Sequence, residues 1–159
     1  MTQSQRPLCF ILMPFGQKPA AGGAIIDFDA VYQELISPAI GEAGLEPLRA
    51  DEEMTGGVIH KPMFERLILC EFAIADLTTA NANVFYELGL AHAKEKPVVL
   101  VSSNEGDVPF DLKHIRVIYY DTTDPFWGQK LIDKVAENIV SAINNPEEAV
   151  FQRALDSKA

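Results

Sequence analysis

Glu87 stands out by its surroundings. It lies a turn inside a helical pattern that begins near Asn83, and its neighbours at helical spacings of three and four are Asn83, Val84, Leu90 and Ala91. Residues at those spacings share a helix face, so this helix offers the acid no ion pair. A carboxylate so placed is either desolvated, with a raised pKa, or met by a cation that a ligand brings. Helical side chains lean toward the start of their helix, which tilts Glu87 back over Asn83 and the polar turn before it. That placement suits attack on, or electrostatic support of, an electron-poor anomeric carbon. Glycosidases ordinarily use two carboxyls, one of them to protonate the leaving oxygen. A pyridinium leaving group, as in NAD, is already cationic and removes the need for that acid. The competing reading is a structural glutamate hydrogen-bonded to adjacent loops, and spacing alone leaves both open.

Other residues would bind rather than react. Asp76 closes a short apolar run, and Asn81, Asn83 and the amides at the helix start offer groups for ribose or phosphate. Arg49 and Asp51 emerge at the end of another short strand, where ligands sit in open α/β sheets, and an arginine there grips phosphate or pairs an acid. Glu52 and Glu53 read as a solvated loop. Pro14, Phe15 and Gly16 open a stretch rich in Gly, Ala and Pro that runs to Gly23, either a flap over a ligand or a plain connector. His92 is rotated by about 140° from Glu87 on a helical wheel and is expected to serve elsewhere. There is no Gly-x-Gly-x-x-Gly after a strand, no Walker loop, no metal-spaced Cys/His set and no serine elbow. No metal and no cofactor is expected, with NAD or a nucleotide as substrate or ligand.

These residues need a scaffold. Leu8 to Met13 and Lys96 to Val101 are continuous apolar runs, as buried parallel strands require. Leu45 to Arg49, Phe72 to Ala75 and Ile115 to Tyr119 complete five strands, with Pro47 placing the second at an edge. Asp27 or Asp29 caps a helix to about Ala43, with Phe28, Val31, Leu35, Ala39 and Ile40 inward and Pro38 kinking or splitting it. His60 to Pro62 leads into a second helix, with Pro62 in its first turn and Met63, Phe64, Leu67, Ile68 and Cys70 at its buried positions. Another starts at Asp124-Pro125, with Leu131, Val135, Ile139 and Ile143 on its apolar face. The stretch from Ser102 to His114 holds at most one helical turn, near Pro109 to Lys113. This alternation implies an α/β, doubly wound five-stranded parallel sheet of order 2-1-3-4-5. The loops after its first and third strands, Pro14 to Gly23 and Asp76 to Asn83, then face one crevice. Residues 1–145 form the domain, and 146–159 a helical tail.

Composition narrows the function class. The chain of 159 residues is 48% hydrophobic and 23% charged, the balance of one globular domain. Its net charge of −10 argues against general nucleic-acid binding, which relies on a basic surface. No apolar run reaches the roughly 18 residues of a membrane span, and Met1 to Pro7 lacks the apolar core of a signal peptide. Cys9 and Cys70 lie in apolar runs and read as buried thiols of a cytoplasmic protein.

Several segments together resemble the nucleoside 2-deoxyribosyltransferase-like superfamily, which is similar in fold to Toll/interleukin-receptor (TIR) domains. They are Phe10 to Gly16, Arg49 to Asp51, Ala75 to Thr78, Asn81 to Gly89 and Ala91 to Ala93. The resemblance extends in particular to the N-terminal domain of bacterial proteins with a TRAFs-binding region. It covers about residues 8 to 120, and its most specific part is Tyr86-Glu87-Leu88-Gly89 with the upstream Asn81 to Val84. It implies a flavodoxin/TIR-like fold and gives Glu87 the nucleophile's role. The transferases carry an aspartate six residues before that nucleophile, where this chain has Asn81, and an acid on the preceding helix, where only Glu65 comes near. The departure favours NAD-type substrates, or a domain that binds a nucleotide without turning it over. It also leaves room for a self-assembling signalling module, for which a homo-oligomer is the implied partner state.

Overall fold

The computed structural model describes residues 6–49, 60–112 and 114–145, with the backbone alone for 60–64. Five strands, β1 (Leu8–Leu12), β4 (Glu46–Arg49), β5 (Phe72–Asp76), β6 (Val98–Ser102) and β7 (Val117–Tyr119), pair in parallel in the order β4-β1-β5-β6-β7. Counting this sheet's strands alone, that is 2-1-3-4-5, the doubly wound order expected from the sequence. Alternation along the buried strands divides the apolar side chains between two faces. Cys9, Ile11, Phe72, Ile74, Val99, Val101 and Ile118 meet the helices on one side. Phe10, Leu12, Ala73, Ala75, Val98 and Leu100 belong to the core on the other.

The first side is covered by α1 (Phe28–Ala30), a π-helical turn (Val31–Ile36) and α2 (Ser37–Glu42), which run on without a break, and by α5 (Trp127–Asn144). Asp27 is the cap, accepting from the amides of Asp29 and Ala30. Pro38 does not end the helix, whose backbone stays helical on both sides of it. It lacks the N–H that an α-helix would send back to Glu34, and the chain widens just before it, with Ser37 N–H bonding Tyr32 O. The extra residue turns Ile36 inward beside Tyr32, and Leu35 is only partly buried. On α5, Leu131, Val135 and Ile139 are buried but Ile143 is exposed, and Ala142 takes the inner position. Steps of four residues drift by about 40° each, so a run of three leaves the face. The helix begins at Trp127, after a turn in which the Asp124 carboxylate accepts from the amide of Phe126.

On the second side lie α3 (His60–Leu69) and α4 (Ala82–Ala93). Leu67 and Cys70 are buried, while Ile68, expected inward, is exposed at the end of α3. Met63 and Phe64 fall outside the described side chains. Two elements went unforeseen. The loop after β1 folds into an antiparallel hairpin of β2 (Gln17–Pro19) and β3 (Ile25–Asp27), turning at Gly22 and Gly23, whose φ of 80° and 83° suit glycine. The connection from β6 to β7 holds two short 3-10 turns, Glu105–Asp107 and Phe110–Leu112, where at most one was expected, and its Val108 seals the second core. Both cysteines are free and buried, and burial raises their pKa, so they are inert thiols. No helix among the described residues is long and apolar enough to cross a membrane.

Candidate functional site

β1 and β5 pair side by side, Leu12 opposite Ala75, so the chain leaves their carboxyl ends at neighbouring points. Here the strand order reverses, which is where open α/β sheets bind ligands. The predicted site residues gather into two groups, one on each loop.

The first group is built around Arg49. Its side chain is 3% exposed and donates from Nη2 to Pro14 O (3.1 Å) and Asp29 Oδ1 (2.7 Å). Its guanidinium lies 4.5 Å from the centre of the Phe15 ring and 5.3 Å from that of Tyr32. Asp29 Oδ1 also accepts from Gly16 N, a residue at φ 68°. The Gly16 amide first, then Arg49, holds the Asp29 carboxyl below its ordinary pKa. Of the two roles open to Arg49, the structure therefore fills that of partner to an acid. Pro14, Phe15 and Gly16 are fastened to β4 and α1 rather than left as a free flap. Asp51 lies outside the described residues. Asp29 and Tyr32 were not singled out as site residues. Two aspartates flanking one helix start, of which a single one can cap it, is the signal that would have drawn attention to Asp29.

The second group rides on the turn between β5 and α4. Asp76 is buried to 2% exposure. Its Oδ1 accepts from Thr78 N (3.0 Å) and Thr78 Oγ1 (2.6 Å), and its Oδ2 from Tyr120 Oη (2.8 Å). Burial pushes its pKa up to about 6 against the pull of these donors. Thr79 and Ala80 have φ of 72° and 50°, left-handed conformations that cost non-glycine residues about 1 kcal/mol or more each. Asn81 caps α4, its Oδ1 accepting from the amides of Asn83 and Val84. Those two amides are thus occupied within the chain, while the side chain of Asn83 is exposed.

Glu87 stands in the second turn of α4, half-buried, between exposed Tyr86 and buried Leu88. It makes no hydrogen bond or ion pair with the described residues, and burial alone pushes its pKa up to about 7. At neutral pH it is divided between its two forms, so it can serve as a nucleophile or as the counter-charge of a cation. His92 is driven the other way, its pKa lowered by burial to about 4, and stays neutral at neutral pH.

No protein-family model and no curated protein matches this sequence. Solved structures do. One is the TIR domain of the Toll-related receptor TRR-2 from Hydra magnipapillata, with 14% identity, a TM-score of 0.54, and 80% of this chain and 96% of that chain covered. Another is the CMP N-glycosidase BcmB of Clostridium botulinum, also with 14% identity, a TM-score of 0.53, and coverage of 82% and 98%. At this identity the likeness concerns the fold alone, and on that ground the chain has a TIR-like α/β fold that a nucleotide N-glycosidase also adopts.

Proposed function

We propose that this protein acts on the N-glycosidic bond of NAD or a related nucleoside or nucleotide. The observation that carries the reading is Glu87. It is a half-buried carboxylate with no partner among the described residues and a pKa moved to about 7, on the helix that follows β5. In the proposed reaction a Glu87 oxygen supports or attacks the anomeric carbon. The bond from that carbon to the ring nitrogen breaks, and its electron pair neutralises the pyridinium. Water or an acceptor hydroxyl then takes the sugar. Asn81 and Asn83 orient the ribose, and Pro14 to Gly16 border it from the adjacent loop. Asp76, whose oxygens are both engaged, holds the turn beneath.

The test is to incubate the protein, dilute and concentrated, with NAD, nucleosides and deoxynucleosides and to follow release of base by chromatography. Release by wild type that falls at least about 100-fold in Glu87→Gln is the expected result. No release at any concentration, or equal release by the variant, overturns it. Likeness to a receptor TIR domain favours a second reading, a nucleotide-sensing or self-assembling signalling module. That module would bind nucleotide in calorimetry, or associate as concentration rises, without turnover.

A further inference from the structure

A carboxylate buried to 2% exposure is an expensive choice, since burial disfavours its charged form and an asparagine would fit the same space. What the charge at Asp76 provides is acceptance. Three donors converge on it, two from Thr78 and one from Tyr120, which lies 44 residues further along the chain. The hydroxyls of Thr78 and Tyr120, each giving its one proton to Asp76, lie 3.1 Å apart, so the three groups cluster at the carboxyl ends of β5 and β7. The same threonine hydroxyl accepts from Ser103 N on the loop after β6 (2.9 Å). Thr79 N donates to Asp107 Oδ2 of that loop (2.8 Å). The Tyr120 ring stacks on Trp127 at the start of α5, with centroids 5.5 Å apart. The turn so anchored is the one that carries two left-handed non-glycine residues directly into the Asn81 cap of α4.

We propose that Asp76, Thr78 and Tyr120 form a positioning device that holds the strained turn in shape and thereby sets where α4 presents Glu87. Its role at the site rests on the reading of Glu87 as the working acid, but the device itself is testable without turnover. Tyr120→Phe removes one oxygen, Thr78→Val one hydroxyl at constant shape, and Thr78→Ser keeps that hydroxyl.

Amide hydrogen exchange reads the hold directly. Exchange at Thr78, Thr79 and Ser103 should quicken about 10- to 100-fold in Tyr120→Phe and Thr78→Val, the range that loss of a hydrogen bond to a charged group gives. Amides of Phe10 to Leu12 in β1 should keep their rates, and Thr78→Ser should behave as wild type. Uniform quickening over both regions, or none, overturns the device. Where wild type releases base, the two disruptive variants should lower kcat about 10-fold or more, with Thr78→Ser restoring it. Unchanged kcat alongside local quickening would overturn the positioning of Glu87. If wild type releases nothing, the enzymatic reading falls while the exchange rates still decide whether the device exists.

Discussion

At Glu87 stability and chemistry pull in opposite directions. Burial favours the protonated form, so what this residue adds to stability is whole below the ordinary pKa of 4.5 and is lost as pH rises through about 7. Asp76 follows the same sign, from 3.8 to about 6. Glu87→Gln keeps the shape without the charge. It should raise unfolding stability by about 1 kcal/mol at pH 8, a figure held low because the side chain is only half-buried, and leave it unchanged at pH 4. Urea unfolding at the two values checks this. The proposed reaction needs the ionised form, so base release should climb through pH 7 to a plateau, with a single apparent pKa near that value. The position of Glu87 was legible in the sequence because helical spacing reveals which neighbours a residue has. The partners of Asp76 were not, because Tyr120 reaches it from the far end of another strand. A pairing over such a separation leaves no local periodicity to read.

The elements were legible where one pattern ran long enough. Apolar runs gave the central strands β1, β5 and β6, and Asp27 or Asp29 marked a helix start. The hairpin of β2 and β3 escaped because its strands are three residues each, do not alternate, and include Pro19. The π-helical turn escaped because nothing short of the packing says how the chain will relieve a missing amide at Pro38. That turn makes a sharp prediction. A continuous α-helix from Phe28 puts Leu35 in the core, whereas the widened turn puts Ile36 there, at 1% exposure. Ile36→Ala should therefore cost about 2–4 kcal/mol in urea unfolding and Leu35→Ala distinctly less, the reverse of the order for an unbroken helix. Tyr32, at the start of the same turn, has its ring centre 5.3 Å from the Arg49 guanidinium, so the irregular segment borders the site.

For the molecule as a whole, the order of the sheet and its two cores could be derived from the sequence, since strand alternation and short connections leave few topologies. Which activity the shared architecture carries could not, because folds of this kind host unrelated functions and the answer lies in a few side chains. How copies could associate is constrained by an outer strand. Glu46 N–H points inward to Pro7 O, so in β4 residues 47 and 49 face away from the sheet, and Pro47 has no hydrogen to give. Among the described residues, the outer margin of β4 therefore has a single amide, that of Arg49, beside its carbonyls, and is short of donors for a strand from another molecule. Pairing of copies through this margin of β4 is thereby disfavoured. Pro47→Thr would supply the missing donor, and light scattering that rises faster on standing than in wild type is the expected sign.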